Sequence, residues 1–467
     1  MELSRIWLAP LAALLAAGCT SVGPDYARPG IGVPAAWHQA ADGGIAAPGG
    51  EALAVWWERL RDPVLSALVA DALAGSLDLK SAQARLRQAR AQRALASAQQ
   101  FPTLSASASG RRATGSEQVG SGATSELYSA GFDARWEPDV FGGVSRGIEA
   151  AQAELEASEA NLQHARVSLV AEVALNYVEL RAFEARLAIA RSNLAAQAET
   201  YQLTDWRVQA GLVGALELEQ AGVQLAQTKS QIPGIETGRA QAEHRLAVLL
   251  GQAPGALAQR LAASAPIPAP PARVAVGIPA DTLRQRPDVR AAERTLAAET
   301  ARIGVAEAAR YPGFTLSGSI GLEALGVSAL GASGATAASI AAGIAAVVFD
   351  GGRLRAQVDA QSAVAERALV GYEAAILAAL QDVEDALVSL DNSVRRAEAL
   401  GSAVASARNA AQLARLRYDS GIIDFFTLLD TQRTLLAIED SLAATQAERA
   451  SALIRLYKAL GGGWESS

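Results

Sequence analysis

The chain has 467 residues but only one cysteine, one methionine and three histidines, and 5% of its residues are aromatic. One cysteine cannot form an intramolecular disulfide, and the histidines are too far apart in sequence to show metal-ligand spacing. A formal charge of −7 without any basic block gives no sign of nucleic-acid binding. The paired glycines are not followed by a phosphate-loop lysine. We therefore expect no nucleic-acid partner, no metal, no non-covalent cofactor and no enzymatic activity.

The first 18 residues have the pattern of a secretory signal peptide. Arg5 precedes an apolar stretch that is too short to span a membrane and ends in small residues. Cys19 follows directly, as in a bacterial lipobox, although Ala16 stands where leucine is usual. We predict that residues 1–18 are removed and that Cys19 is acylated, with Thr20 implying the outer membrane. An ordinary signal peptide with an incidental cysteine is the alternative.

The remainder of the chain presents one pattern twice, about 210 residues apart. Similar segments occur at 101–105 and 311–315, 140–143 and 348–352, 207–211 and 417–421, and 249–251 and 459–461. A repeat held in register over this length implies two copies of one architectural unit. We predict a lipidated tether at 19–61 with little structure of its own, a first repeat at 62–251, a proline-rich linker at 252–279, a second repeat at 280–463 and a tail at 464–467.

Four short segments have the pattern of strands. Around 104–111, 128–137 and 314–322, apolar residues alternate with polar ones, whereas the fourth segment, around 339–349, is apolar on both faces. They predict two hairpins, at about 101–140 and 311–350, and a soluble hairpin packed on a core would give the same alternation. If the strands span a membrane, several chains must share one barrel, because closure needs about eight strands.

Long helices are indicated more clearly. Apolar residues recur every seventh position through residues 148–208 and 369–390, which is the pattern of coiled-coil seams, with one stutter. A single helix over 143–209 would be about 100 Å long, at 1.5 Å per residue, and must belong to a rod, sheath or tube. We also predict a helix from about Asp62 to Gln100, and an interruption of the first return helix at Pro233.

Several motifs occur together in an order that is specific to one family. They are Cys19, Val22-Gly23-Pro24-Asp25-Tyr26, Arg28-Pro29, Arg286-Pro287-Asp288-Val289, Phe349-Asp350-Gly351-Gly352, Leu428-Leu429-Asp430-Thr431-Gln432-Arg433 and Leu456-Tyr457-Lys458-Ala459-Leu460-Gly461-Gly462-Gly463-Trp464. The mature chain thereby resembles the TolC-like outer membrane factor family, of the NodT/OprM type. The resemblance implies an α+β membrane protein, internally duplicated and trimeric. Each chain would give four strands to a twelve-stranded transmembrane β-barrel and long helices to an α-helical coiled-coil barrel.

The resemblance also implies a function in the Gram-negative outer membrane. The lipid-anchored homotrimer, extending into the periplasm, would passively conduct drugs or other small solutes. It would receive them from a periplasmic adaptor and an inner-membrane pump of the RND type. A type I protein-secretion exit duct and a non-conducting periplasmic coiled-coil lipoprotein are the alternatives. Aromatic residues on the alternating strands, such as Phe132 and Trp136, favour a membrane-embedded channel over the non-conducting lipoprotein.

By the same resemblance, the channel closes at its periplasmic tip, where helix pairs turn at Gly211, Gly214 and Gly421. Phe426 and Asp430 are four residues apart and so share one helix face. Three copies of Phe426 would form an apolar plug, with three copies of Asp430 as an anionic ring beside it. On the residues alone, Phe426 would be a seam residue and Asp430 an exposed charge.

Four further residues are candidates for holding the helix ends inward. Tyr418 lies three residues before Gly421, and Asp205 and Arg207 lie just before the first turn. Arg433, three residues after Asp430, would pair with it in the same or a neighbouring helix. Solvated charges at a helix end are the alternative for Asp205 and Arg207, and an exposed pair of small energetic value is the alternative for Arg433.

Overall fold

The computed structural model describes residues 21–30, 32–38, 45–46, 53–271, 274–275 and 279–464. The predicted signal peptide and Cys19 lie outside these residues. The chain forms two compact units, and each takes residues from both sequence repeats. The first, here called the strand unit, comprises Met1–Gly30, Arg85–Glu159 and Ala291–Glu373, and the second, the helix unit, comprises Ile31–Ala84, Ala160–Arg290 and Ala374–Ser467.

The strand unit contains a four-stranded antiparallel sheet in the order β2-β3-β5-β6, formed by β2 (Thr103–Thr114), β3 (Thr124–Trp136), β5 (Gly313–Ala324) and β6 (Thr336–Ala345). A separate two-stranded parallel sheet pairs β1 (Ile45–Ala46) with β4 (Val274–Ala275) in the helix unit. Along the large sheet, Ala106 pairs with Phe132 and Phe132 with Ile320, so these side chains share one face. All four predicted strands are therefore present, although the fourth lies at 336–345 rather than 339–349.

The two faces of the large sheet differ in polarity, as period two requires. One face is apolar and carries Leu104, Phe132, Trp136, Phe314, Leu316, Ile320, Ile340 and Ile344. On the other, Ser107 donates to Asp133 at 2.9 Å, and hydroxyl pairs join Ser109 to Ser129 and Ser319 to Ser339. Within the described chain no strand covers the outer edges of β2 and β6, so the sheet is open in one protomer.

The helices repeat in length as well as in order. They are α1 (Pro63–Gly75), α2 (Leu77–Ala98), α3 (Gly143–Gln209), α4 (Ala215–Leu249), α5 (Pro279–Gln285), α6 (Pro287–Ala308), α7 (Arg353–Asp419) and α8 (Phe425–Ala459). Helices α3 and α7 each have 67 residues, and α4 and α8 each have 35. The predicted helix over 143–209 is thus observed within the same bounds. No helix in the described part of the chain is long and apolar enough to cross a membrane.

The predicted single helix from Asp62 to Gln100 is wrong, because Ser76 separates α1 from α2. Asp62 caps the start of α1 by accepting from the amides of Val64 and Leu65 at 2.9 and 3.0 Å. At the other end, the backbone of Gly75 lies against Leu250, where an added Cβ would come within 2.3 Å of the carbonyl oxygen. The break therefore occurs at a close backbone contact between residues distant in sequence.

The predicted interruption at Pro233 is also wrong, since α4 runs through it from Ala215 to Leu249. Proline removes one helical donor and leaves a carbonyl free four residues earlier. Pro233 is exposed, so that carbonyl, on Lys229, lies where solvent can hydrate it. The Thr237 hydroxyl donates to the Pro233 carbonyl at 2.8 Å and adds one bond to the following turn.

The predicted tether is wrong for its last residues. Residues Leu53–Leu60 form a 3-10 helix that is kinked at Val55 and buries Trp56, Trp57 and Leu60. The Trp56 ring stacks on Tyr457 with centroids 5.2 Å apart, and the amide of Gly463 donates to the Leu53 carbonyl at 2.9 Å. This segment therefore belongs to the core of the helix unit, packed against the C-terminal end of α8.

Candidate functional site: the helix-tip turns

The two helix pairs turn with the same backbone geometry. Gly211 and Gly421 both have φ of +71°, a left-handed conformation that a side chain would strain. After each glycine, the next amide donates back to a carbonyl five residues earlier, from Leu212 to Arg207 at 2.9 Å and from Ile422 to Arg417 at 2.8 Å. This is the Schellman pattern of a helix C-terminus, and it explains why glycine stands at both turns.

The helices that leave the turns begin differently. The side chain of Asp424 accepts from the amide of Thr427 at 2.7 Å and caps α8, whereas Gly214 precedes α4 without a side-chain cap. The backbone amide of Thr427 is the main cause that holds the pKa of the exposed Asp424 carboxyl below its usual value. The second turn is therefore fixed by a cap that the first turn lacks.

The start of α8 has one buried and one exposed face. Phe425, Leu428 and Leu429 are buried in the tip core, which also contains Ala221 and Tyr418. Phe426 is 64% exposed in the protomer, and Asp430, one turn later, is exposed beside it. Within one chain, Phe426 therefore does not serve as a seam residue, because its neighbours fill the seam.

Tyr418 and Arg207 meet across the two tips. The Arg207 guanidinium lies over the Tyr418 ring, 4.6 Å from its centroid, and its terminal nitrogen is 3.9 Å from the Asp419 carboxylate. Tyr418 is only 5% exposed and packs on Phe425 with centroids 5.5 Å apart. The Tyr418 hydroxyl has no hydrogen-bond partner among the described residues. The structure thus joins the ends of α3 and α7 through an arginine, a tyrosine and an aspartate.

The other two candidate residues make different contacts. Asp205 accepts from the side chain of Gln209 at 2.9 Å, within its own helix. Arg433 donates to the side chain of Gln224 on α4, and among the described residues no ion pair joins it to Asp430. Within the protomer Arg433 thus reaches α4 and not Asp430 of its own helix, and its pairing with Asp430 of a neighbouring helix in the trimer stays a prediction.

Sequence reasoning missed several features of the tips. Leu212, Leu216 and Ile422 leave large apolar side chains exposed on the turns and the first turn of α4. The glycine turns themselves signal that such neighbours project outward, since a Schellman turn is followed by a change of chain direction. Three large exposed apolar side chains at one end of the helix unit are typical of a surface that binds another protein.

An open sheet with one apolar face, joined to duplicated helices of 67 residues, defines a subunit of a membrane channel built from several chains. The chain belongs to the family described as outer membrane efflux protein, whose model matches residues 68–252 and 278–462. The resemblance found in the sequence is thereby confirmed, and each match covers most of one predicted repeat.

Individual relatives agree with this assignment. The chain is 34% identical to nodulation protein T of Rhizobium leguminosarum bv. trifolii, covering 97% of each chain. It is 34% identical to the pyoverdine export outer membrane protein OpmQ of Pseudomonas aeruginosa, covering 97% of this chain and 96% of the relative. Its fold is similar to that of the outer-membrane channel OprN, with a TM-score of 0.89 and 38% identity over 95% of this chain and 99% of that one.

The protein is accordingly an outer-membrane channel component of an efflux pump. Members of this family are trimers that work with an adaptor and an inner-membrane pump, and they are channel proteins rather than enzymes. The apolar face of the sheet is therefore the face toward lipid, and its open edges at β2 and β6 are the edges that neighbouring protomers cover. Acylation of Cys19 remains a prediction.

Proposed function

We propose that the helix-tip turns form the closed end of a passive conduit for small solutes. Three copies of Phe426 form an apolar plug at the three-fold axis, with three copies of Asp430 as an anionic ring one helical turn away. The exposure of Phe426 carries the proposal, because a phenyl ring left bare in the protomer is a ring that the trimer can bury. We further infer a pump of the RND type, on the resemblance to the NodT/OprM type.

Magnitudes favour the plug over the tip contacts as the main closing interaction. Removing a phenylalanine side chain from water contributes about 1.5–3 kcal/mol, so three rings give several kcal/mol. In each protomer the Arg207–Asp419 ion pair is partly exposed and worth about 0–1 kcal/mol, and the cation–π contact with Tyr418 adds about 0.5–1 kcal/mol. The tip contacts of one protomer therefore give about 0.5–2 kcal/mol, against about 1.5–3 kcal/mol for its Phe426. Tyr418 and Arg207 thus hold the helix ends in register, while Phe426 resists opening.

An adaptor would open the conduit by binding the exposed apolar residues at the turns. Leu212, Leu216 and Ile422 offer such a surface, and their burial against a partner supplies free energy of the size needed to separate the plug. A ligand shifts an equilibrium only through its different affinity for the two states. The adaptor must therefore contact these residues better when the tips are splayed.

Replacing Phe426 with alanine is expected to raise single-channel conductance in planar bilayers. The substitution removes the apolar plug without touching the buried tip core. Leu216→Ala is the matched control, because it deletes a similarly exposed apolar side chain at the other turn. Unchanged conductance of a trimeric Phe426→Ala protein would place the constriction elsewhere.

Replacing Asp430 with asparagine is expected to reduce the preference for cations with little change in conductance. A ring of carboxylates attracts cations, whereas amides of the same size do not. Reversal potentials under a salt gradient measure the change. The control is Glu219→Gln, which removes an exposed carboxylate near the other turn. Equal selectivity of the Asp430 variant and wild type would exclude an anionic ring at this position.

A further inference from the structure

The first described residues are bound tightly to the strand unit. The amide of Val22 donates to the carbonyl of Phe141 at 3.1 Å, just before α3 begins. Arg146, 5% exposed, donates to the carbonyls of Val22 and Gly23 at 3.2 and 3.3 Å and to the carboxylate of Asp25 at 2.6 Å. One buried guanidinium therefore binds three residues of this segment.

Two more contacts fix the same segment. Gly23 has φ of +88°, and a Cβ added there would lie 2.4 Å from the Cα of Gly304 on α6. The hydroxyl of Tyr26 donates to Glu293 at 3.0 Å, and burial, followed by this bond, raises the Tyr26 pKa to about 12. The segment therefore runs along α6 in direct backbone contact, is bound to α3 through Arg146, and is held at its N-terminal end by Phe141.

A groove opens beside this end, between the start of α3, the end of α6 and the base of β5 and β6. It has a volume of about 480 Å³, within the roughly 300–1,000 Å³ of sites that take small ligands. Its apolar lining includes Phe141, Val144, Val305, Tyr311, Phe314 and Val347. Glu137 and Asp139 at its rim already have partners, in Arg135 and in the amides of Val144 and Ser145.

The groove lies on the lipid side of the sheet. Phe314 is on the same face as Leu316 and Trp136, and the Phe141 ring is 6.3 Å from Phe314 and 4.7 Å from Tyr311 between centroids. Aromatic side chains in a row beside an apolar sheet face are typical of a membrane–water interface. The groove therefore opens at the depth of the membrane–water interface, where the acyl chains of the membrane lipids begin.

Chain length connects the groove to Cys19. Ser21 contacts Gly142, since a Cβ added to Gly142 would lie 2.4 Å from the Ser21 hydroxyl. Cys19 is two residues earlier, and two residues extend at most about 7 Å. A lipid attached to Cys19 would thus start beside Phe141 and Val144. An acyl chain is long compared with the distance from that point into the groove.

We propose that this groove seats an acyl chain of the lipid carried by Cys19, so that the anchor is held against its own protomer. The proposal rests on the predicted acylation of Cys19. The proposed occupant is attached to this same chain. The hydrogen bonds from Arg146 hold the segment that follows Cys19 beside the groove. Free bilayer lipid is the competing occupant.

Photo-cross-linking tests the proposal directly. Cells expressing the full chain are fed a diazirine fatty acid with a terminal alkyne, the membranes are irradiated, and the purified protein is digested and mapped by mass spectrometry. We expect the N-terminal lipopeptide to be cross-linked to peptides containing Phe141–Val144 and Val305–Tyr311. Adducts only on other parts of the sheet, or only with phospholipid, would overturn the proposal that this groove seats the acyl chain.

Two variants separate specific seating from random contact. Ala309→Trp places a large ring in the groove, at an exposed helix end, and should lower these adducts severalfold. Ala342→Trp adds the same ring to the exposed apolar face of β6 and should leave them unchanged. An equal effect of both would overturn the proposal. Complete lack of fatty-acid label on wild type would overturn the acylation of Cys19 and, with it, the seating.

Discussion

Replacing Arg286 with methionine is expected to lower the thermal stability of the protein more than any single surface change. This side chain donates to the carbonyl of Ala459 at 3.0 Å, to Asp288 at 2.7 Å and to Asp382 at 2.8 Å, and it is 7% exposed. Methionine preserves much of the volume but leaves the carboxylates without their cation. The Asp288 and Asp382 side chains are 29% and 56% exposed and can be hydrated, so the cost comes mainly from the Ala459 carbonyl that loses its buried donor, about 1–3 kcal/mol.

The measurement is the midpoint of thermal unfolding, by circular dichroism, of detergent-solubilised protein. The matched control is Arg395→Met on α7, whose ion pair with Asp391 is exposed and worth about 0.3–0.5 kcal/mol. If both variants melt like wild type, the Arg286 contacts do not stabilise the helix unit. Arg286→Lys tests geometry, since a lysine cannot replace the five donors of a guanidinium.

The stability lost in Arg286→Met should be larger at neutral pH than at acidic pH. Burial alone would raise the pKa of Asp288, but Arg286, by hydrogen bonding and charge, outweighs it and holds the pKa below its usual value. A lowered carboxyl pKa gives stability that is present above the unfolded value, about 3.9, and lost as the pH falls through the folded value. We therefore expect the difference between wild type and Arg286→Met to be large at pH 7 and to narrow below about pH 4.

Replacing Trp56 with alanine is the second change of large expected effect. The side chain is fully buried, stacked on Tyr457 and edge-on to Trp57 at 6.0 Å between centroids. Deleting a buried aromatic ring of this size costs about 3–5 kcal/mol, through lost burial and the cavity left behind. The same variant should release Leu53–Leu60, because this ring is the main anchor of that 3-10 helix.

Limited proteolysis and the thermal midpoint together measure this effect. We expect faster cleavage within residues 53–60 and a lower midpoint for Trp56→Ala. Trp206→Ala is the control, since Trp206 is more than half exposed and its removal should change stability by less than about 0.5 kcal/mol. Equal behaviour of the two variants would mean that the segment is held by other contacts.

Much of the fold was predictable, because its signals are local and repeated. The seven-residue periodicity predicted the helix over 143–209, and alternating polarity predicted the strands. The break at Ser76 and the burial of Trp56 could not be predicted in this way. Both depend on contacts with residues near the end of a later helix, Leu250 and Tyr457, which no local pattern reports.

In the candidate gate, too, the features set by local spacing were predictable, and those set by contacts between distant residues were not. Phe426 and Asp430 were identified by resemblance, and their shared exposed face follows from a spacing of four. The partner of Arg433 was not predictable, because spacing within one helix favoured Asp430 while the folded chain offers Gln224 on the adjacent helix. The position of Arg207 over Tyr418 required the two repeats to end side by side, which only the structure reports.

The equal lengths of the duplicated helices restrict how this chain can evolve. Because α3 and α7 have the same number of residues, and α4 and α8 likewise, Arg207 of one copy reaches Tyr418 and Asp419 of the other. A deletion of one heptad in a single copy would withdraw one tip by about 10 Å, at 1.5 Å per residue, and separate these partners. Changes in the length of the conduit must therefore be inherited as matched insertions or deletions in the helices of both ancestral halves.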